Sequence, residues 1–204
     1  MEYSAGMVSC LFWLNETRNT VPFYLEKTKV ADMRKIAVEQ NIYQVRAEDR
    51  CRRIAGVAYK RLDALTPELI ELFRDADNNT ASIILLISIM KTDLLFFEFM
   101  HSVVKKTIQL GQNEIQDSDI KIFFEEKIAQ SEVVAGFSES AIAKLKQTYI
   151  KMLINAGIVE AANAKRIKLP YIDYNLNNLL RQNGYGPYLS TLTGMDYEWD
   201  IFYR

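Results

Sequence analysis

The chain has 204 residues, 49% hydrophobic and 25% charged, with a formal net charge of -1. That composition suits a folded globular protein of one or two domains and argues against a disordered chain. The longest nearly apolar run, IILLISIM at 83–90, is far short of the roughly 20 residues a membrane span needs, and no leader pattern opens the chain, so a soluble, cytoplasmic protein is expected.

Two cysteines, Cys10 and Cys51, and a single histidine, His101, leave no disulfide framework and no zinc-type ligand spacing. Both cysteines sit among apolar neighbours, as reduced thiols acting as small hydrophobes do. Neither a metal nor a cofactor is expected.

In chain order, the first informative stretch is RAEDRCRRIAGVAYKRL at 46–62, with six basic side chains. At about 100° per residue, Cys51, Ile54, Ala58, Leu62 and Leu65 form an apolar stripe, while Arg46, Arg50, Arg53, Lys60 and Arg61 gather beside it around Val57. Either this is a solvated face balanced by Glu48 and Asp49, or it is a helix that contacts phosphates. Thr66, Pro67 and Glu68 then predict a helix start. From Ser82 to Gly111 the sequence reads as a nearly all-apolar helix or helix pair, the buried centre of a bundle.

Beyond Gly111, Asp117 or Ser118 is the expected cap of a helix through Ser131, and Ser138 that of a longer one closed by Gly157. In the longer helix Ile142, Leu145, Tyr149, Met152 and Leu153 make the buried face. Lys144, Gln147, Thr148 and Lys151 are left outside, side chains suited to groove and backbone contacts on DNA. IVEA at 158–161, a small loop at 162–164 and KRIKLPYI predict a β-hairpin carrying Lys165, Arg166 and Lys168. Residues 138 to 170 hold six basic against two acidic side chains, Glu139 and Glu160. A helical unit ending in a basic hairpin is the layout of a winged helix. The expected fold is therefore mainly α: a helical bundle at 1–111 and a C-terminal winged-helix-like unit at 112–204 with a small β-hairpin, possible as one compact body.

Catalytic patterns are weak. No Walker or dinucleotide glycine motif occurs, and GYG at 184–186 lacks the strand and helix context of a phosphate loop. Ser102 next to His101 cannot form a triad by adjacency, and EEK at 125–127 sits on a helical segment without a nuclease's strand and acidic partner. Asp93, at the head of an apolar stretch, reads as a hydrogen-bonded or ion-paired core carboxylate, since burying it unpaired would be costly.

The segments YSAG at 3–6, LFWLNETR, NIYQVRAEDRCRRIAGVAYKRLDAL, IMKTDLLFFEFM and DIKIFFEEKIAQSEVVAGFSESAIAKLKQTYIKMLINAGI together resemble the BrxA family of BREX (bacteriophage exclusion) defence operons. The likeness runs from about residue 3 to about residue 180 and rests on long ordered motifs. It implies a non-enzymatic, DNA-binding accessory component working beside other BREX operon proteins. Some members carry an inner-membrane description, against which the apolar run length argues. The resemblance transfers no DNA-contacting residues.

Duplex DNA is thus the expected partner, bound mainly through phosphates by Arg46, Arg50, Arg53, Lys60 and Arg61 and by a second set, Lys144, Gln147, Lys151, Lys165, Arg166 and Lys168. With a net charge near zero, such a surface must be local and its affinity salt-sensitive. The competing expectation is an adaptor holding other defence components together, with DNA incidental. The tail aromatics Tyr197, Trp199, Phe202 and Tyr203 are expected to close over the core or to meet a partner.

Overall fold

The computed structural model describes residues 2–160 and 165–197. The protein is mainly helical and divides into two compact units, Trp13–Ser88 and a second made of Met1–Phe12 with Ile89–Arg204. These bounds differ from the expected division near Gly111. The tail residues Trp199, Phe202 and Tyr203 lie outside the described residues.

In the unit Trp13–Ser88, α1 (Leu14–Leu25), α2 (Val30–Glu39), α3 (Glu48–Asp63) and α4 (Pro67–Asp75) precede α5 (Asn78–Thr92), inside which the unit ends. Helix α3 packs on α1 and α2, and α1 on α4. The expected stripe is in place: Cys51, Ile54, Ala58, Leu62 and Leu65 are all buried. Pro67 opens α4 behind an extended Thr66, its fixed φ preset for the first turn. Ile83 to Met90, apart from Ser88, supply a run of buried apolar side chains, as their all-round hydrophobicity requires.

The Cys51 thiol donates to the Ala37 carbonyl at 2.9 Å, and burial pushes its pKa up. Because the thiolate is the reactive form, iodoacetamide at neutral pH is expected to label half-buried Cys10 well before Cys51. Mass spectrometry of a labelling time course checks this.

In the other unit a 3-10 turn, Gly6–Ser9, is followed beyond residue 89 by α6 (Leu94–Phe99), a π-helical segment (Met100–Lys105) and α7 (Lys106–Gln109), which join end to end. Then come α8 (Asp117–Gln130), α9 (Glu132–Ala135), α10 (Glu139–Asn155), α11 (Tyr174–Gln182) and α12 (Gly186–Thr193). The long apolar stretch breaks at Asp93, whose extended backbone ends α5 and whose carboxylate accepts from Phe96 N at 2.9 Å as the cap of α6. Helix α12 and α8 pack on the π segment, and α10 on the 3-10 turn. Tyr149 of α10 is the centre of the core, its ring 4.9 Å from Phe96, 5.2 Å from Phe99 and 5.9 Å from Phe124 between centroids. Tyr3 donates to both carboxylate oxygens of Glu98, at 3.0 and 2.9 Å, and its own pKa is raised to about 12 by burial and by that carboxylate.

Two sequence expectations are corrected here. Helix α8 starts at Asp117 with Gln116 in the cap position and no side-chain capping bond, whereas Ser138 does cap α10, accepting from Ala141 N at 3.2 Å, and Gly157 ends it at φ 74°. The winged-helix-like unit with its β-hairpin is not supported: the described residues hold no strand, only isolated antiparallel bridges, Val159 with Ile167 and Glu114 with Arg166. The reason is visible in the backbone bonds. The 165–168 segment is shared, with Ile115 N donating to Lys165 O and Ile167 N to Asn113 O on one side, and Lys168 N to Ile158 O on the other. Pro170 soon follows, and a proline has no N–H with which to extend a ladder. The expected loop at 162–164 lies outside the described residues.

No helix among the described residues is long and apolar enough to cross a membrane.

Candidate nucleic-acid interface

Helix α3 presents its basic face through Arg50, Arg53 and Lys60, with Arg46 just ahead of its first turn; all four are exposed. Three carboxylates on the same helix could neutralise them, and all three are engaged elsewhere. Glu48 and Asp49 both hold Arg52, at 2.6 and 3.2 Å, the i,i+4 and i,i+3 neighbours that helix geometry favours. Asp63 accepts from the Tyr24 hydroxyl at 3.1 Å. Arg46, Arg50 and Arg53 consequently make no ion pair or side-chain hydrogen bond among the described residues.

One predicted member does not belong on this surface. Arg61 is 3% exposed, its guanidinium 5.9 Å from the centre of the Trp13 ring, so it cannot reach a ligand from solvent. A cation that the sequence reading overlooked joins the face instead. Arg34 of α2 lays its guanidinium across Gly56, where a Cβ would lie only 2.7 Å from Nη2. Gly56 is one turn from Arg53 and from Lys60, so its missing side chain is what admits a further positive charge to the face.

The second predicted set is only partly brought together. Gln147 and Lys151 of α10 and Lys165 line one groove with Asp117 and Lys121 of α8. Lys165 pairs with Asp117 at 2.8 Å. Lys146, also missed by the sequence reading, lines the same groove with its ammonium 5.5 Å from the centre of the Phe124 ring. Lys144 is exposed on α10 but outside this lining, and Thr148 of the expected outer face is buried. In the extended segment after 164, Arg166 and Lys168 are exposed and alternate with Lys165 and Ile167, so they face the other side.

The groups first tested for catalysis have structural contacts. Asp93 caps α6, Lys121 lies 3.7 Å from Glu125, and Lys127 is 2.9 Å from Glu98. Among the described residues no three His, Cys, Asp or Glu side chains converge as a metal site would require.

Residues 1–184 match the family model described as BrxA. The chain belongs to the BrxA family. It is 38% identical over 167 residues to the "BREX protein BrxA" of Bacillus cereus (strain H3081.97), a match covering 81% of this chain and 84% of that protein. A second "BREX protein BrxA", of Escherichia coli O9:H4 (strain HS), is 22% identical over 157 residues, 77% of this chain and 74% of that one. Among solved structures, the crystal structure of an uncharacterized protein from Magnetospirillum magneticum superimposes with a TM-score of 0.81 at 20% identity, covering 96% of this chain and 100% of that chain. That likeness shows a shared fold. The BrxA match takes in α3, α8 and α10, so every basic position described above falls within the family region.

Proposed function

We propose that this BrxA-family chain is a non-enzymatic component of a BREX defence system that binds duplex DNA chiefly through its phosphates, and that it works beside other BREX proteins. The observation that carries the reading is the face of α3: its carboxylates are turned to Arg52 and Tyr24, while Arg46, Arg50 and Arg53 stand in solvent without them. Exposed arginine is a strong phosphate ligand because its planar fork of donors matches phosphate oxygens and is weakly hydrated. Arg34 and Lys60 extend the face. Lys144, Arg166 and Lys168 are exposed cations of the other unit and supply further contacts. Backbone contacts of this kind position a protein without selecting a sequence.

A gel-shift titration on unrelated duplex fragments at low and physiological salt tests the proposal. With one phosphate neutralised by each of the five cations of the α3 face, the log–log salt slope is on the order of -4.5, steeper with the contacts of the other unit and common to all fragments. No shift at low salt would remove the DNA reading.

A further inference from the structure

We propose that the groove between α8 and α10 is a docking site for an acidic amphipathic helix of a partner protein. The groove, of about 530 Å³, runs along the row Lys146, Ile150 and Ile154 of α10 and is closed by the first turns of α8. Its floor is apolar: Ile150 and Ile154 are half-buried, and Ile120 behind them is almost wholly so. Four lysines stand around it: Lys165 is paired with Asp117 at 2.8 Å and Lys121 lies 3.7 Å from Glu125, while Lys146 and Lys151 make no ion pair among the described residues.

The two halves of that description select the occupant. Phosphates would use the lysines but would have to lose hydration against isoleucine, which returns nothing to a charged oxygen. A neutral apolar helix would use the floor and leave the rim unanswered. A helix with apolar residues at i, i+4 and i+7 and Asp or Glu on its flanks uses both, in the helix-in-groove mode. From Lys146 to Ile154 the groove follows α10 for about 12 Å, a little over two helical turns. Two or three anchoring side chains therefore fit. The inference does not rest on DNA binding, whose carrying residues are on α3.

The test uses the full-length protein and fluorescence anisotropy. The probe is a helical peptide of about sixteen residues with leucines at i, i+4, i+7 and i+11 and glutamates flanking them. A second peptide has lysine at every glutamate position. The acidic peptide is expected to bind and the basic one not to. Ile150→Glu is expected to weaken binding at least tenfold, as loss of a central anchor does, and Lys146→Glu, a groove residue outside both DNA sets, several-fold. Both variants should keep the native circular dichroism and the duplex gel shift, whereas variants of Arg50 and Arg53 should keep peptide binding. Equal binding of the two peptides, or none up to about 100 µM, would overturn the proposal. Displacement of the acidic peptide by duplex DNA would assign the groove to nucleic acid instead. A change in oligomeric state in Ile150→Glu would assign it to a second copy of the chain.

Discussion

The double variant Arg50→Glu, Arg53→Glu is expected to bind duplex DNA about a hundredfold more weakly at low salt than the parent protein, and to flatten the log–log salt slope by roughly 2. Each arginine replaced removes one site of counterion release, and each glutamate adds repulsion. Folding should be untouched. Both side chains are exposed and pair with nothing among the described residues, so the stability change should stay within about 0.5 kcal/mol. Two comparisons make the result specific. Arg52→Glu reverses a charge on the same helix, but Arg52 is already held by Glu48 and Asp49; its loss should cost DNA affinity much less. Arg61→Ala should lower thermal stability, because Arg61 is buried beside Trp13. If the Arg50 and Arg53 variant binds duplex as well as the parent does, the α3 face is not the DNA surface.

Tyr149 carries the second large effect. Tyr149→Ala should cost about 3–5 kcal/mol, the usual loss for a large aromatic deleted from a packed core. It would leave a void among Phe96, Phe99 and Phe124. Tyr149→Phe should be neutral or stabilising, since the buried hydroxyl has no hydrogen-bond partner among the described residues and its desolvation is uncompensated. The pH dependence has a definite direction. Burial, reinforced by the charges of Asp93 and Glu98, raises the phenol pKa well above its ordinary value. The folded state therefore holds the proton more tightly than the unfolded chain, and this contribution to stability is complete below the unfolded tyrosine pKa of about 10 and lost as pH rises beyond it. Thermal melts of the parent and of Tyr149→Phe between neutral and alkaline pH check both points. The variant should lose less stability in alkali.

Helical periodicity made much of this fold legible. The stripe from Cys51 to Leu65 and the buried face of α10 follow from 3.6-residue spacing, and Ser138 and Gly157 mark the ends of α10 by their own chemistry. The misassignments have tertiary causes. Arg61 lies only about 20° from Arg50 on the helical wheel, yet the Trp13 ring covers one and leaves the other in water. The hairpin rests on two local segments, while the chain between α7 and α8 also exchanges hydrogen bonds with 165–168, Ile115 N donating to Lys165 O and Ile167 N to Asn113 O, a contact between residues some fifty positions apart that no local pattern records. Arg34 could not be read as part of the α3 face without knowing that α2 packs there. The sequence offers Glu48 and Asp49 as balancing the basic face, whereas the structure gives both to Arg52, which stands at the helical spacing from each.

The π-helical turn Met100–Lys105 joins α6 to α7 without a break. A turn closed from i to i+5 holds one residue more than an α turn covering the same stretch of axis. Two relatives that differ only in whether this turn is π or α would therefore differ in length by one residue here while keeping the same core on either side. At identities near 20%, an alignment that forbids a gap between 100 and 105 would slip every later position by one. The basic positions of α10, some forty residues downstream, would then be compared with the wrong residues. A single-residue gap at this turn is the signature to look for before lysines are compared across the family.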